Sequence, residues 1–459
     1  SDVYKRQGYN PIKVSAAYFC QDAFLNQLGV SPTFNLLTSV MDDMRPENKY
    51  LHLMDEQEAI TKAQALLNRP GDANVSPLAV YRRAAKADSV QQRRPNVVLI
   101  MMESMSAKFM KHFGQSETLT PFLDSLYTRS ISFRNFYSAG IHTNHGLYAT
   151  LYSFPAMMKR NLMKGSVIPR YSGLPTVLKE NGYYNLFFMT HEGQYDNMNA
   201  FFRTNGYDEV FSQEDYPADK VVNSFGVQDD FLYDYAIPVL NQRAATGQPF
   251  FATLLSISNH PPYVIPPFFH PKTSEPETQI VEYADWALRQ FFEEARKQPW
   301  FDNTIFVLEG DHGKLVGDAE CELPESYNHI PLMIYSSRIQ PEEKTTFGGQ
   351  VDIQPTILGL LNIDYLQNNF GVDLLKEKRP CMFYTADNMV VGRNDTLLYL
   401  YNYETQQELT YDIGNGKLNA VPMDDSFLPL KEYSFSMLQS AEFLVKHGKT
   451  LNSIPFTQQ

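Results

Sequence analysis

The sequence predicts an α/β fold: a mostly parallel sheet between helices, preceded by a helical segment and followed by a small antiparallel subdomain. Short, continuous apolar runs recur along the chain, as expected for strands buried on both faces of a parallel sheet. Segments with helical spacing separate these runs, and such alternation is typical of sheets with helices on both faces. Beyond residue 375, alternating apolar and polar residues with turn signals predict the antiparallel subdomain.

Residues 1–92 are predicted to form a helical segment and a linker. Residues 53–68, LMDEQEAITKAQALLN, have amphipathic helical spacing, and a proline and a glycine end the pattern. Residues 18–44 also have helical spacing, interrupted by GVSP. The polar and basic stretch 82–95 is predicted to be a linker or an exposed helix end.

Residues 93–375 are predicted to form the α/β domain, which would carry the chemistry. The runs predicted as its strands are 95–106, 183–190, 249–258, 303–313 and 330–337. The segments predicted as its helices are 120–130, 174–182 and 283–298.

The last part of the chain, residues 376–459, is predicted to be a small antiparallel-sheet subdomain. Residues 381–413 alternate and contain the turn signal RND, and NGK follows shortly after them, which favours a meander of short strands. Residues 432–449 have helical spacing and are predicted to close the subdomain.

Charge and cysteine content exclude several classes of function. The net charge is −13, which repels the phosphate backbone, so we expect no nucleic-acid partner. An anionic substrate would need a metal or a few local cations. Cys20, Cys321 and Cys381 are far apart, so neither a zinc ribbon nor a disulfide framework is expected. No apolar run is long enough to span a membrane, and the chain starts without methionine, so we expect a fragment.

The candidate site residues follow the apolar runs, because ligands bind at the carboxyl ends of parallel strands. Carboxylate oxygens together with an imidazole suit a divalent cation such as Mn²⁺, Mg²⁺ or Zn²⁺. The polar residues at these predicted strand ends are Glu103 and Ser104, His191 and Glu192, Asn259 and His260, and Asp311 and His312.

Each candidate also has a structural interpretation. Thr143, in the turn SAGIHTNHG, could be a helix cap, or a nucleophile if a metal ligated by it lowers its pKa. Glu103 could stabilise a helix N-terminus, and the GDHG around Asp311 could be a simple turn. His191 and His260 could be loop histidines, able otherwise to hold phosphate oxygens or to protonate a leaving alkoxide. Nothing in the sequence gives a role to three further histidines: His142, His145 and His329.

Five motifs in order resemble the sulfatase and alkaline-phosphatase superfamily over residues 95 to about 370: NVVLIMMES, TPFLDSL, GDHG, IPLMIYS and QVDIQPTILGLL. Sulfatases carry a cysteine or serine as the precursor of their nucleophile, whereas HTNHGLYATL stands there in this chain. A threonine at that place resembles the lipoteichoic acid synthases and the related phosphoglycerol transferases. Residues 24–43 and SPLAVYRR resemble the segment that links the membrane part of those enzymes to the catalytic domain.

The resemblance implies one metal ion, Mn²⁺ ahead of Mg²⁺ or Zn²⁺, bound by Glu103, Thr143, Asp311 and His312, with Thr143 as the nucleophile. It also implies that two histidines, His260 and His191, contact the substrate phosphate.

The Gram-positive synthases carry a Trp–Asn–Arg element after the second of these histidines. Here the stretch YDNM places Asp196 and Asn197 nearby, as in the branch from Gram-negative bacteria. The tryptophan and arginine contacts are therefore missing, which argues against polymerisation of glycerol phosphate and leaves the metal chemistry intact. We expect Asp196 and Asn197 to be substrate-binding residues.

The implied activity moves a phosphoglycerol or similar headgroup from a membrane lipid to a glycan or glycerol phosphate acceptor. The implied location is the cell (inner) membrane, with the catalytic domain in the periplasm or otherwise outside the cytoplasm and with membrane helices missing from this fragment. Four alternatives remain open: a phosphoethanolamine transferase, a phosphodiesterase or phosphatase, a sulfatase, and an inactive binding or sensory module.

Overall fold

The computed structural model describes Thr33 and residues 50–69, 81–83, 94–165, 168–414 and 416–451. Its α-helices in these ranges are α1 (Glu56–Leu67), α2 (Pro121–Tyr127), α3 (Thr143–Tyr152), α4 (Leu174–Glu180), α5 (Met198–Thr204), α6 (Asp229–Ala245), α7 (Pro276–Ala295), α8 (Ile353–Leu360) and α9 (Leu428–Lys446). Its strands there are β1 (Tyr81–Arg83), β2 (Asn96–Met102), β3 (Ile131–Tyr137), β4 (Tyr184–Met189), β5 (Glu209–Phe211), β6 (Phe250–Leu255), β7 (Thr304–Gly310), β8 (Leu332–Tyr335), β9 (Glu342–Gly349), β10 (Leu366–Asn368), β11 (Met382–Thr385), β12 (Met389–Arg393), β13 (Leu397–Asn402), β14 (Gln407–Gly414) and β15 (Lys417–Ala420).

The central sheet has eight strands in the order β5-β4-β6-β2-β7-β8-β3-β9. Its pairings are parallel except for those of β8, which runs antiparallel to β7 and to β3. The predicted α/β class with a mostly parallel sheet is therefore confirmed. One detail differs, because the apolar run 330–337 was expected to run with the other strands and instead forms the reversed strand β8.

Strand β2 explains why the apolar runs form the middle of the sheet. Every residue of β2 is buried. Val97 and Leu99 point into one hydrophobic core, and Val98 and Ile100 point into a second core on the opposite face. Because successive side chains of a strand face opposite ways, an uninterrupted apolar run is what burial on both faces requires.

The strands at the margins of the sheet have no uninterrupted apolar run in their sequence. Strand β9 is an edge strand, and its first residues, Glu342 and Glu343, are exposed. Strand β3 combines buried residues with two partly exposed ones and with the exposed Arg134. Their polar faces lie near solvent, so no apolar run marks them in the sequence.

The C-terminal part forms a five-stranded antiparallel sheet in the order β11-β12-β13-β14-β15, as predicted. Helix α9 covers it and packs against α1 as well, so the N-terminal helix is joined to the C-terminal subdomain. Residues 18–44 and most of the predicted linker 82–95 lie outside the described residues. The boundaries 1–92, 93–375 and 376–459 stay a prediction.

A buried arginine joins the C-terminal part to the central domain. Arg379 donates from Nε to Asp352 Oδ2 at 2.8 Å and from Nη1 to the Tyr433 hydroxyl at 2.6 Å. Asp352 lies just before α8, and Tyr433 lies on α9. The side chains of Arg379 and Asp352 are both fully buried, so each charge depends on the other for compensation.

We predict that Arg379→Met destabilises the protein by about 3–5 kcal/mol, because it leaves the buried Asp352 carboxylate without its counter-charge. The measurement is equilibrium unfolding in guanidinium chloride, followed by far-UV circular dichroism. Arg289→Met is the matched control, since Arg289 forms an exposed ion pair with Glu293 within α7. Equal unfolding midpoints for the two variants would contradict the assigned role of Arg379.

Candidate active site

Two carboxylates meet at the carboxyl ends of β2 and β7. These strands pair in parallel, with Met102 opposite Gly310, so the next residues, Glu103 and Asp311, lie side by side. The backbone N–H of Asp311 donates to the carbonyl of Met102 at 3.0 Å. Glu103 is 1% exposed and Asp311 is fully buried, so both are removed from water.

Backbone N–H and hydroxyl groups donate hydrogen bonds to only some of the oxygens of Glu103 and Asp311. Ser104 Oγ donates to Glu103 Oε1 at 2.7 Å, and the backbone N–H of Ser104 donates to Asp311 Oδ1 at 2.8 Å. The backbone N–H of His312 donates to the same Asp311 oxygen at 2.7 Å. Asp311 Oδ2 is buried and has no hydrogen-bond partner. A buried carboxylate oxygen without a donor is the group that a cation would satisfy.

The imidazole of His312 completes the cluster. Its Nδ1 lies 2.7 Å from the carbonyl oxygen of Gly313, which can only accept, so Nδ1 carries the proton. The lone pair is therefore on Nε2, which lies 3.6 Å from Asp311 Oδ2 and 3.9 Å from Glu103 Oε1. One ligand atom from each of the three residues lies within 4.8 Å of the others. An imidazole that donates from its other ring nitrogen to a backbone carbonyl in this way is a typical metal ligand.

The electrostatics of the cluster also suit a cation. Burial, followed by the charge of Asp311, raises the pKa of Glu103 well above its usual range. Two buried carboxylates therefore destabilise each other unless a positive charge lies between them. Two carboxylates and one imidazole are a donor set that divalent Mn²⁺, Mg²⁺ or Zn²⁺ accepts.

Thr143 lies at the start of α3 and its hydroxyl faces the cluster. Thr143 Oγ1 donates to Glu103 Oε2 at 3.5 Å. His142, not Thr143, occupies the N-cap position of the helix, so the interpretation of Thr143 as a cap is wrong. Because the first N–H groups of a helix have no partner within it, the space beside Thr143 suits an anion.

Helix α3 reaches the cluster because Gly146 has no side chain. A Cβ atom at Gly146 would lie 2.3 Å from the carbonyl oxygen of Asp311. Gln350 Nε2 donates to that carbonyl at 2.8 Å, and Gln350 Oε1 accepts from the backbone N–H of Ala139 at 2.8 Å. The helix and the loop after β7 are thus joined at van der Waals distance, which sets the position of Thr143.

Lys314 is a site residue that the sequence analysis missed. Its Nζ donates to Asn259 Oδ1 at 2.6 Å and to the Tyr263 hydroxyl at 3.2 Å. Asn259 donates in turn to the carbonyls of Glu103 at 3.2 Å and Ser104 at 3.1 Å. Burial lowers the pKa of Lys314 to about 8. The available signal was its position directly after GDHG, in an acidic chain that needs local cations to bind an anion.

His191 and His260 follow β4 and β6, at the same edge of the sheet as the cluster. Nδ1 of His260 lies 2.6 Å from the carbonyl of Pro261, and Nδ1 of His191 lies 3.2 Å from that of Glu192. Nδ1 of each histidine therefore carries a proton, and Nε2 is the ring nitrogen that remains for a contact with substrate. Burial lowers the pKa of His191. Neither histidine hydrogen-bonds to the carboxylate cluster, and their substrate contacts stay a prediction.

A row of aromatic rings connects these two histidines. The ring centroid of His191 lies 4.6 Å from that of Tyr195, and the Tyr195 ring lies 6.3 Å from that of Phe225. Phe225 in turn lies 4.0 Å from His260. Burial, and then the charges of Asp196, Glu103 and Asp311, raise the pKa of Tyr195 to about 12.

Asp196 and Asn197 lie in a turn with positive φ angles of 47° and 65°. Asp196 pairs with Lys164 at 2.7 Å and accepts from Asn144 Nδ2 at 3.3 Å. Asn197 is buried, and its amide donates to the carbonyl of Met163 at 3.3 Å. These bonds connect the turn to Asn144, the neighbour of Thr143, and the predicted substrate contacts of both residues stay a prediction.

The structure shows the contacts of the three histidines to which no pattern in the sequence assigned a role. His142 pairs with Asp387 of the C-terminal sheet at 2.6 Å. His145 is fully buried without a hydrogen-bond partner on either ring nitrogen, and burial lowers its pKa to about 3. His329 lies 2.8 Å through Nε2 from the carbonyl of Arg134.

A family model described as Sulfatase matches residues 95–363, which is more than half of the chain. The chain belongs to the sulfatase family. Lipoteichoic acid synthase 1 of Bacillus subtilis is 25% identical over 350 residues, which are 70% of this chain and 53% of that protein. Lipoteichoic acid synthase of Staphylococcus aureus is 23% identical over 72% of this chain and 54% of its own length. The chain thus spans about half the length of these relatives.

Solved structures agree with this family. An alkaline phosphatase superfamily protein of Vibrio parahaemolyticus covers 88% of this chain and 99% of its own, with 25% identity and a TM-score of 0.78. The lipoteichoic acid synthase LtaP of Listeria monocytogenes covers 84% of this chain and 98% of its own, with 19% identity and a TM-score of 0.68. The second likeness shows the fold alone. Among the described helices, none has the length and apolar character needed to cross a bilayer.

We predict that Gly146→Ala weakens Mn²⁺ binding at least tenfold in isothermal titration calorimetry. The added methyl group would meet the Asp311 carbonyl, so either α3 or the loop after β7 must move. Gly414→Ala is the matched control, because its Cβ would meet only Asn419 at 3.5 Å. Unchanged Mn²⁺ affinity in the folded Gly146 variant would show that the close approach does not shape the cluster.

Proposed function

We propose that this chain transfers a phosphoglycerol, or a similar phospho-alcohol headgroup, from a membrane lipid to a glycan or glycerol phosphate acceptor. The observation that carries this proposal is the Thr143 hydroxyl, hydrogen-bonded to Glu103 beside Asp311 and His312. The lipoteichoic acid synthases that the chain matches support the choice of reaction. We further propose that the catalytic domain works outside the cytoplasmic membrane.

A divalent ion, Mn²⁺ ahead of Mg²⁺ or Zn²⁺, would be held by Glu103, Thr143, Asp311 and His312, where it would offset phosphoryl charge and lower the pKa of the threonine. The unpartnered Asp311 Oδ2 and the lone pair of His312 fit this role.

The reaction proceeds in two displacements. The deprotonated Thr143 oxygen attacks the phosphorus of the lipid headgroup, the bond from phosphorus to the diacylglycerol oxygen breaks, and a phosphoglycerol group remains on Thr143. The leaving alkoxide takes a proton from Nε2 of a histidine that is protonated on both ring nitrogens, for which His260, with Nδ1 at the Pro261 carbonyl, is the candidate. An acceptor hydroxyl then attacks the same phosphorus, its proton passes to that Nε2, and the bond from phosphorus to Thr143 breaks to release the deprotonated threonine.

Several groups are suited to hold the phosphate during both steps. The N-terminus of α3 presents backbone N–H groups, and Lys314 brings a positive charge fixed by Asn259 and Tyr263. We propose that His191 and His260 complete the phosphate contacts, with Asp196 and Asn197 toward the alcohol portion. A sulfate-ester substrate is disfavoured, because a threonine stands where sulfatases carry the precursor of formylglycine.

We predict that Thr143→Ala lowers headgroup release from labelled phosphatidylglycerol by at least about 10³-fold, because the nucleophile is lost. Mass spectrometry of the Thr143 peptide, after incubation of the unsubstituted protein with the lipid, should show the mass of the transferred group. Thr143→Ser should keep part of the activity, and Thr128→Ala, an exposed threonine after α2, should keep all of it. Headgroup release by Thr143→Ala at the rate of the unsubstituted protein would contradict the proposal.

We predict that Lys314→Met raises the KM for the phospholipid donor and lowers kcat/KM roughly ten- to hundredfold, because a charge-assisted contact to phosphate is lost. The affinity for Mn²⁺ should not fall, because the positive charge of Lys314 repels the ion and the substitution removes that repulsion. Lys108→Met, which breaks an exposed ion pair with Glu320, is the control. If KM and kcat/KM stay unchanged, Lys314 serves only to balance the charge of Glu103.

A further inference from the structure

Three exposed apolar side chains surround the candidate active site on three separate loops. Tyr195 is 39% exposed, Val222 is 46% exposed and Leu315 is 45% exposed. We call these three residues the apolar rim. They follow β4, β5 and β7, whose carboxyl ends lie at one edge of the sheet.

Contacts place each member of the apolar rim close to the site. The ring of Tyr195 lies against that of His191, tilted by 45°. Val222 belongs to the turn of Phe225, since its N–H donates to the Gly226 carbonyl at 2.9 Å, and Phe225 lies against His260. Leu315 directly follows Lys314, whose charge acts on Glu103.

The charge around two members of the apolar rim, Val222 and Leu315, differs from that of the whole chain. Asp and Glu account for 52 of 459 residues, and the net charge is −13. Yet no acidic residue occurs in 220–228, 256–274 or 312–317, which are the stretches that carry Val222, His260 and Leu315. Lys220 and Lys314 lie within two of these stretches. Such a surface can approach a negatively charged layer that the rest of the protein would repel.

Two of these apolar side chains, Val222 and Leu315, lie near lysines in stretches without carboxylates. The third, Tyr195, is next to Asp196, which is paired with Lys164 at 2.7 Å. Such side chains at separate loop ends suit the interface of a lipid bilayer. Tyrosine is also enriched at that depth, because its ring is apolar and its hydroxyl is polar. A folded protein partner would instead require one continuous apolar face. Phe268, which is 57% exposed, packs on Trp286 along the flank of α7 and is not part of the apolar rim.

We propose that the apolar rim inserts into the headgroup region of an anionic bilayer and holds the mouth of the active site against it. This inference rests on the proposed function, because a lipid donor is what the site would draw from that surface. Val222 and Leu315 then act by docking alone, and the chemistry remains with Thr143 and its neighbours.

The test is co-sedimentation of the full chain with sucrose-loaded vesicles of phosphatidylglycerol and phosphatidylcholine. The unsubstituted protein should sediment with them, and Val222→Asp/Leu315→Asp should lose at least fivefold in the bound fraction. The matched control is Leu66→Asp/Leu428→Asp, since both leucines are 44% exposed and lie on α1 and α9. Thermal unfolding should show that both double variants are folded.

Activity separates docking from catalysis. Val222→Asp/Leu315→Asp should release headgroup more slowly from vesicles, but at the unsubstituted rate from a short-chain phosphatidylglycerol dissolved as monomers. Thr143→Ala should still bind vesicles. If the protein binds vesicles through the apolar rim but releases no headgroup from either donor, docking stands and the proposed function fails.

Two results would overturn the inference. The first is that the unsubstituted protein releases headgroup from both donors but does not bind vesicles, or that Val222→Asp/Leu315→Asp binds vesicles as well as the unsubstituted protein does. The other is analytical ultracentrifugation showing that the rim substitutions dissociate a dimer while vesicle binding is unchanged. In that case the apolar rim would be a contact between two copies of the chain.

Discussion

Two like charges buried side by side are the constraint on which the site depends. The parallel pairing of β2 and β7 places Glu103 next to Asp311, and both are removed from water. Ser104 and the amide of His312 stabilise one oxygen of each carboxylate, and Asp311 Oδ2 is left without a donor. Burying one carboxylate beside another is costly without a compensating charge. A cation bound at this edge of the sheet would therefore stabilise the fold.

That constraint explains why α3 is held so tightly. Gly146 lets the helix touch the Asp311 backbone, and Gln350 joins the same carbonyl to the loop before the helix. One turn further on, Thr150 donates to the buried Glu309 at 2.6 Å, which attaches the helix to β7 directly. The first residue of α3 therefore has little freedom, and the Thr143 hydroxyl faces Glu103 because the helix behind it cannot shift.

The sequence predicted the parts of this molecule that are governed by burial on two faces. Strands β2, β4, β6 and β7 are mostly apolar, and polar residues that follow each one were recognisable as site candidates. The edge strand β9 carries solvent-facing glutamates, so no periodicity marks it. Lys314 and Gln350 were missed for another reason: their roles arise from contacts across the fold, to Asn259 and to the Asp311 carbonyl. No local pattern encodes such partners.

The C-terminal sheet bears on the site more directly than its separate sequence character suggested. The backbone N–H of Thr385 donates to the carbonyl of Ala139 at 2.9 Å, in the loop that leads into α3. Asp387, two residues later, pairs with His142 at 2.6 Å, immediately before Thr143. The N-terminus of α3 is thus held from behind by β7 and from the side by the C-terminal sheet. A boundary near residue 375 divides the chain by composition, whereas the site draws on both sides of it, so a fragment ending there would lack part of the support for Thr143.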